Sequence, residues 1–246
     1  MGIRSPLPIN GLGIEDREIL EKSADWTMCS GLQKQFILDA TRYVIESGIH
    51  GDIVECGVWR GGMMQIAART LIDFQRKPAN ESVELPRIWL YDTYEGMPAP
   101  DSPLDRDLYR GEHASHKLER EPPISDDGSP TIWCKANLDD VTQGMRETEY
   151  PVNRIEYIVG RVEDSIPSQV PQTISILRVD TDWYSSTLHI LNHLYERVSP
   201  GGVLIFDDYD SWEGARTAVD EFHAKQKQNF LLIRLDKGRV MVKSPQ

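Results

Sequence analysis

A doubly wound α/β fold, with a mostly parallel sheet bordered by a C-terminal antiparallel hairpin, is predicted by three features of this 246-residue sequence. Apolar runs of strand length alternate with stretches of helical periodicity along most of the chain. The first run, Gly51-Asp-Ile-Val-Glu-Cys-Gly57, passes through a glycine turn into a helical pattern, the opening of a nucleotide-binding βαβ unit. Two later runs end in acid: Thr173-Ile-Ser-Ile-Leu-Arg-Val179 leads into Asp180-Thr-Asp182, and Gly202-Val-Leu-Ile-Phe206 leads into Asp207-Asp208. If those runs are neighbouring parallel strands, their carboxylates meet at the sheet edge where open α/β folds bind ligands.

Taken in order, the elements support that assignment. Residues 1–13 are rich in Pro and Gly and read as a loose arm, and 14–50 read as a helical cover for the core over 51–246. Within the cover, Leu32, Phe36, Ala40, Tyr43 and Val44 recur at helical spacing as far as Gly48, a C-terminal stop. Beyond the first strand, Met63, Ile66, Ala67, Leu71 and Phe74 mark the second helix, and Arg87-Ile-Trp-Leu-Tyr-Asp92 the second strand. The stretch 97–129 shows little periodicity, the mark of a functional lid or a disordered excursion. A further unit starts at Ile132, and Arg154-Ile-Glu-Tyr-Ile-Val-Gly160 is the third strand. Leu188, Leu191, Leu194, Tyr195 and Val198 predict a helix between the two acid-tipped strands, with Ser199-Pro-Gly-Gly202 as its terminator. After a helical stretch over 215–224, the segments 230–235 and 240–242 flank Asp236-Lys-Gly238 as a hairpin.

Composition narrows the function. The formal net charge of -12 argues against nucleic acid or an anionic membrane as the main partner, because both require clustered Lys and Arg. Cys29, Cys56 and Cys134 show no paired spacing, so neither a disulfide framework nor a zinc site is indicated and a reducing cytoplasm is expected. No signal sequence or membrane-length apolar stretch is evident. An acidic enzyme acting on a neutral or cationic small molecule fits this balance.

The acid-tipped strands carry the strongest chemical signal. Four carboxylates packed at one edge repel one another, and a shared hard cation keeps them ionised. Asp180 and Asp182 lie two apart and would project to one side of an extended chain, with Asp207 and Asp208 following a strand ~4.8 Å away. That arrangement suits oxygen ligation of Mg²⁺; the competing reading is a polar loop or helix cap. In the glycine turn, Glu55 could hold a ligand's ammonium group, and a ligand-free strand-to-helix turn is an equal alternative. Asp92 occupies the place where an acid binds ribose hydroxyls. Together the two acids suggest an adenosine-type ligand bearing an amino group. Trp59 and the absence of G-x-G-x-x-G count against a nicotinamide oxidoreductase. His189, His193 and His223 read as ordinary helix histidines, His113 and His116 as lid residues, and Tyr94, Trp183 and Tyr184 equally as pocket wall or core.

Four segments in fixed order resemble the macrocin O-methyltransferase (TylF/MycF) family: Gly51-Asp-Ile-Val-Glu-Cys-Gly-Val-Trp-Arg-Gly-Gly62, Tyr91-Asp-Thr-Tyr-Glu-Gly-Met-Pro98, Leu177-Arg-Val-Asp-Thr-Asp-Trp-Tyr184 and Ser199-Pro-Gly-Gly-Val-Leu-Ile-Phe-Asp-Asp-Tyr209. The resemblance runs from about Thr27 to the C-terminus. It implies a class I methyltransferase (Rossmann-like) fold, S-adenosylmethionine as donor, Mg²⁺, and methylation of a sugar hydroxyl in a natural product. Carried over by position, it implies Asp180, Asp207 and Asp208 as metal ligands and Asp182 as general base. It implies cofactor contacts from Thr27, Met28, Glu55, Gly57, Val58, Trp59, Arg60, Gly61, Gly62, Asp92, Thr93, Gly160, Arg161, Val162, Glu163 and Asp180. Family members often carry Asp-Gly-Asp where this chain has Asp180-Thr-Asp182, a change that keeps both acids. The expected partner is a small-molecule glycoside or other hydroxyl-bearing compound, and a homo-oligomer is compatible with the sequence. The rival readings are a catechol-type O-methyltransferase and a non-catalytic cofactor-binding protein.

Overall fold

The computed structural model describes residues 12–122, 131–226 and 230–244. Strands β1 (Asp52–Cys56), β2 (Ile88–Asp92), β3 (Ile155–Val159), β4 (Ile174–Val179) and β5 (Val198–Phe206) run parallel, while β6 (Ile233–Leu235) and β7 (Gly238–Val242) form an antiparallel hairpin beside β5. Their order in the sheet is β3-β2-β1-β4-β5-β7-β6. The chain winds outward from β1 through β2 to β3, then crosses back to β4 on the other side of β1. The reversal places a crevice at the carboxyl ends of β1 and β4, the binding position of doubly wound folds.

Helices cover both faces. α1 (Ile14–Lys22), α2 (Gly31–Glu46), α3 (Gly62–Gln75) and α5 (Leu138–Arg146) contribute to one layer; α6 (Val162–Ser165), α7 (Tyr184–Leu194) and α8 (Glu213–Lys225) contribute to the other. The short α4 (Ala114–Arg120) lies in the segment after β2. Alternation along the strands feeds the two layers: Ile53, Ile176 and Ile205 pack with Leu20, Ile37, Leu38, Met64 and Ile66, whereas Val54, Leu177 and Leu204 pack with Ile190, Leu191, Leu194, Val219 and Phe222. Being covered on both sides, β4 is buried at every residue, which explains its nearly unbroken apolar run.

Helix α2 starts at a fixed point. Ser30 accepts from Gln33 N–H at 3.3 Å, and Gln33 Oε1 accepts from Ser30 N–H at 2.8 Å, a capping box that sets the helix entry.

Three expectations change. Ser199-Pro-Gly-Gly202 does not end a helix but lies within β5, where it passes a shift in register against β4 between Ile174 and Ile176. The preceding helix already stops at Leu194 and tightens into a 3₁₀ turn over Tyr195–Arg197. In the stretch 97–129, the described part is not structureless: it holds α4, and Arg106 and Asp107 form β-bridges to His113 and Trp212. Helix α4 escapes a periodicity reading because only Ala114 and Leu118 are buried in its seven residues. The N-terminal arm is described only from residue 12, and residues 123–130 of the lid segment also lie outside the described residues. Among the described residues, no helix is long and apolar enough to cross a membrane.

Candidate active site

A cavity of about 300 Å³ opens at the carboxyl ends of β1, β2, β3 and β4, and the ends of β5 complete its wall. Gly57 allows this convergence. It has φ +85°, and a Cβ there would lie 1.8 Å from the Asp180 carbonyl oxygen. The close approach is stitched by Asp180 N–H donating to Cys56 O at 2.9 Å and Gly57 N–H donating to Tyr91 O at 2.9 Å.

Beyond Gly57, Asp92 ties the glycine loop in place. Its Oδ2 accepts from Val58 N–H at 2.6 Å and Trp59 N–H at 3.1 Å, while Oδ1 accepts from Tyr94 N–H at 2.8 Å. Trp59 adopts a left-handed φ of 48° on the cavity wall, a conformation that costs a non-glycine residue energy and often marks a functional position. Thr27, Met28, Gly57, Val58, Thr93 and the run Gly160 to Glu163 line the same cavity, as does Asp92 itself.

The acids at the ends of β4 and β5 come together. Asp180, Asp207 and Asp208 each offer a carboxylate oxygen, and these atoms lie within 4.8 Å of one another. Asp182 stands apart from that trio because the chain does not remain extended after β4. At Asp182 it turns left-handed, with φ 60°, and the residue's N–H donates to Asp208 Oδ2 at 3.0 Å. The expected same-side projection of Asp180 and Asp182 is therefore replaced by a turn that sets Asp182 beside the trio, still on the cavity wall.

Burial governs the charge states here. It pushes Asp182 up to about 7, and Asp207 adds to the rise; hydrogen bonds from the Trp212 indole and with Asp208 oppose it. Asp208 is held well above the carboxylate range by burial and by Asp182 and Asp180. Asp180 is also raised by burial, against the pull of Arg178.

Arg178 is a site residue that sequence reasoning missed. Its side chain is 2 % exposed and donates to Glu55 Oε1 at 2.8 Å, Asp180 Oδ2 at 2.6 Å and Asp207 Oδ1 at 2.6 Å. Gln33 Nε2 donates to the same Asp207 oxygen at 3.0 Å, so the capping box of α2 is docked directly onto the acid cluster. The available signal was an arginine inside a mostly apolar strand. Lys237, on the turn between β6 and β7, also lines the cavity and was missed.

Four positions expected at the cofactor do not line the cavity. Glu55 is 1 % exposed and sits behind the cavity wall, with one oxygen on Arg178 and the other, Oε2, buried with no partner among the described residues. Burial raises it to about 7. Arg60 turns away to pair with Asp140 at 2.6 Å and lies over the Trp26 ring at 4.4 Å. Gly61 is the N-cap of α3, and Gly62 packs so tightly that a Cβ would lie 2.5 Å from the Trp26 backbone. Their small size serves helix packing. Trp183 borders the cavity and donates to Pro98 O at 2.9 Å, whereas Tyr94 is buried with its hydroxyl on Leu90 O and Tyr184 bonds Glu221. His113 caps α4, His189 meets Ile166 O at 3.0 Å and stacks near His193, and His223 packs against Phe206 and Phe230. None of those four histidines reaches the cavity.

Comparison with known proteins agrees with this geometry. The chain is 28% identical over 230 residues to the demethyldecarbamoylnovobiocin O-methyltransferase of Streptomyces niveus, covering 91% of this chain and 79% of that protein. It is 29% identical over 195 residues to the 8-demethyl-8-(2,3-dimethoxy-alpha-L-rhamnosyl)-tetracenomycin-C 4'-O-methyltransferase of Streptomyces olivaceus, covering 76% of this chain and 65% of that protein. The solved structure of the O-methyltransferase NovP superposes with a TM-score of 0.69 at 27% identity, covering 93% of this chain and 88% of that one. The model of the macrocin-O-methyltransferase (TylF) family matches residues 21–243, nearly the whole chain, and the protein belongs to that family of S-adenosylmethionine-dependent O-methyltransferases.

Proposed function

We propose that this enzyme methylates a hydroxyl on a sugar moiety of a natural product, with Mg²⁺ held by Asp180, Asp207 and Asp208 and with Asp182 as general base. The observation that carries the reading is the placement of Asp182 on the cavity wall beside three converging carboxylate oxygens. The donor set fits the ion: all three ligands are hard oxygens, and Arg178 occupies only one oxygen each of Asp180 and Asp207. The rhamnosyl substrate named for the Streptomyces olivaceus relative supports a sugar as acceptor.

A Mg²⁺ held by Asp180, Asp207 and Asp208 would supply Lewis acidity toward an acceptor hydroxyl, and S-adenosylmethionine would supply an already activated methyl group. The protein's share is proton transfer and positioning. Burial raises Asp182 to about 7 in the metal-free site, and a cation held beside it would draw the group back toward the ordinary carboxylate range, leaving it ionised and able to accept a hydroxyl proton near neutral pH. The Trp212 indole bonds the Asp182 carboxylate, and the backbone N–H of Asp182 donates to Asp208 Oδ2, so the residue is held in place for that task. For the cofactor, Thr27, Met28, Gly57, Val58, Trp59, Asp92, Thr93, Asp180 and the run Gly160 to Glu163 are the proposed contacts, since all border one continuous cavity. Trp183 walls its acceptor side, next to Asp182.

The test is a panel of glycosides and simple catechols incubated with enzyme and S-adenosylmethionine, with and without EDTA, and read by mass gain. Methylation of a glycoside that EDTA abolishes supports the reading. Methylation of catechols alone, or transfer indifferent to EDTA, rejects it.

A further inference from the structure

Arg178 sits in the middle of the sheet, paired in register with Glu55 on β1 and with Ile205 on β5. A parallel strand buried on both faces rarely carries a charge, and an ion pair placed there must satisfy its hydrogen bonds to offset desolvation. Here the guanidinium is used as a fork. Nη1 contacts Glu55 and Asp180, and Nη2 contacts Asp207 and, at 3.1 Å, the Cys29 sulfur. Asp180 and Asp207 each give one oxygen to this rigid plane, which therefore sets both the spacing and the rotation of the two carboxylates. Gln33 secures the Asp207 oxygen from the side of α2.

We infer that Arg178 is a positioning residue that presets the Asp180 and Asp207 carboxylates, and thereby makes the site select a small octahedral cation over a larger one. The inference rests on the proposal that these aspartates hold Mg²⁺. That ion demands near-ideal octahedral geometry at about 2.0–2.1 Å, whereas Ca²⁺ accepts irregular shells at about 2.3–2.6 Å. A site whose ligands are clamped before the ion arrives discriminates between the two, and one with free carboxylates does not. The planar guanidinium supplies a clamp that a flexible ammonium cannot.

Charge alone predicts the opposite. A cation held 2.6 Å from two ligand oxygens repels an incoming metal, so a residue serving only to balance charge would weaken the binding of both ions. Replacing it with a neutral side chain would then tighten both. Loss of a clamp instead weakens Mg²⁺ selectively.

The experiment titrates MgCl₂ and CaCl₂ calorimetrically into the full-length protein saturated with S-adenosylhomocysteine, for the wild type, Arg178→Lys, Arg178→Met and Gln33→Leu. The expected result is a drop in Mg²⁺ affinity of about tenfold or more in both Arg178 variants with a Ca²⁺ change below about threefold. Gln33→Leu shifts the ratio in the same direction by a smaller factor. It keeps the inference testable if the Arg178 variants do not fold. A Mg²⁺ to Ca²⁺ affinity ratio within twofold of the wild type in every folded variant, equal losses for both ions, or tighter binding of both in Arg178→Met overturns the inference. A wild type that takes up no Mg²⁺ instead overturns the metal reading itself.

Discussion

Glu55 and Arg178 are register partners on adjacent parallel strands and form a fully buried ion pair at 2.8 Å, with Arg178 on the cavity wall and Glu55 behind it. Their side chains project toward the α2 and α3 layer, on the same face as Ile53 and Ile176 two residues earlier in each strand. The pair links the interior of the sheet to the aspartates at its edge, so the site is supported from behind by the most rigid part of the fold.

Removing the base isolates the chemical step. Asp182→Asn should lower kcat by about 10²- to 10⁴-fold, the usual span for a general base, while S-adenosylhomocysteine affinity stays within about twofold. Turnover measured alongside calorimetry checks both halves. Retained wild-type turnover would remove Asp182 from the mechanism.

The raised carboxyl of Asp182 has a consequence for stability in the metal-free protein. Its folded pKa of about 7 lies above the ordinary value of 3.8, so between those values the folded state holds a proton that the unfolded state has lost. Protonation therefore stabilises the fold at low pH, and this contribution declines as pH rises from about 4 through about 7. Urea unfolding of wild type and Asp182→Asn across that window should show the wild-type advantage shrinking with rising pH. A flat difference would contradict the assignment.

At Gly57 the test is steric. Alanine there must adopt φ +85° with its methyl 1.8 Å from the Asp180 carbonyl oxygen, so β1 and β4 would have to separate. Gly57→Ala is expected to cost well over about 1 kcal/mol in chemical denaturation and to abolish S-adenosylhomocysteine binding. Wild-type stability in this variant would show that the approach of the two strand ends is not required.

Beyond β5, Asp210 is 3 % exposed and accepts from Arg216, Arg234 and Arg239, joining α8 to the hairpin that carries Lys237. These hydrogen bonds hold its carboxyl below the usual range despite burial. Asp210→Ala removes the shared acceptor of three arginines that water still reaches, and should destabilise the fold by about 1–3 kcal/mol. Thermal or urea unfolding reads this directly, and a loss under about 1 kcal/mol would show that the arginines find other partners.

The linear order of residues was enough to reveal the doubly wound class, the strand-turn-helix opening and the acid pairs that close two apolar runs, because period and strand-end chemistry are local properties. Ile53, Val54 and Leu177 announce buried strands wherever they occur, and the strand-end aspartates are visible beside them. What could not be read locally was which polar groups share a partner. Glu55 reads as a ligand contact, and only the fold shows that one of its oxygens is held by Arg178; Asp182 looked like a companion of Asp180 until the left-handed turn moved it to Asp208. Arg60 and Gly62 carry a familiar pattern but pack against Asp140 and Trp26, and Gly61 faces Val141. Strand pairing across more than a hundred residues brings Glu55 to Arg178, and helix docking brings Gln33 to Asp207. Partners so far apart in the chain are chosen by long-range packing, and in a buried cluster that choice sets which charges are neutralised and which oxygens stay free.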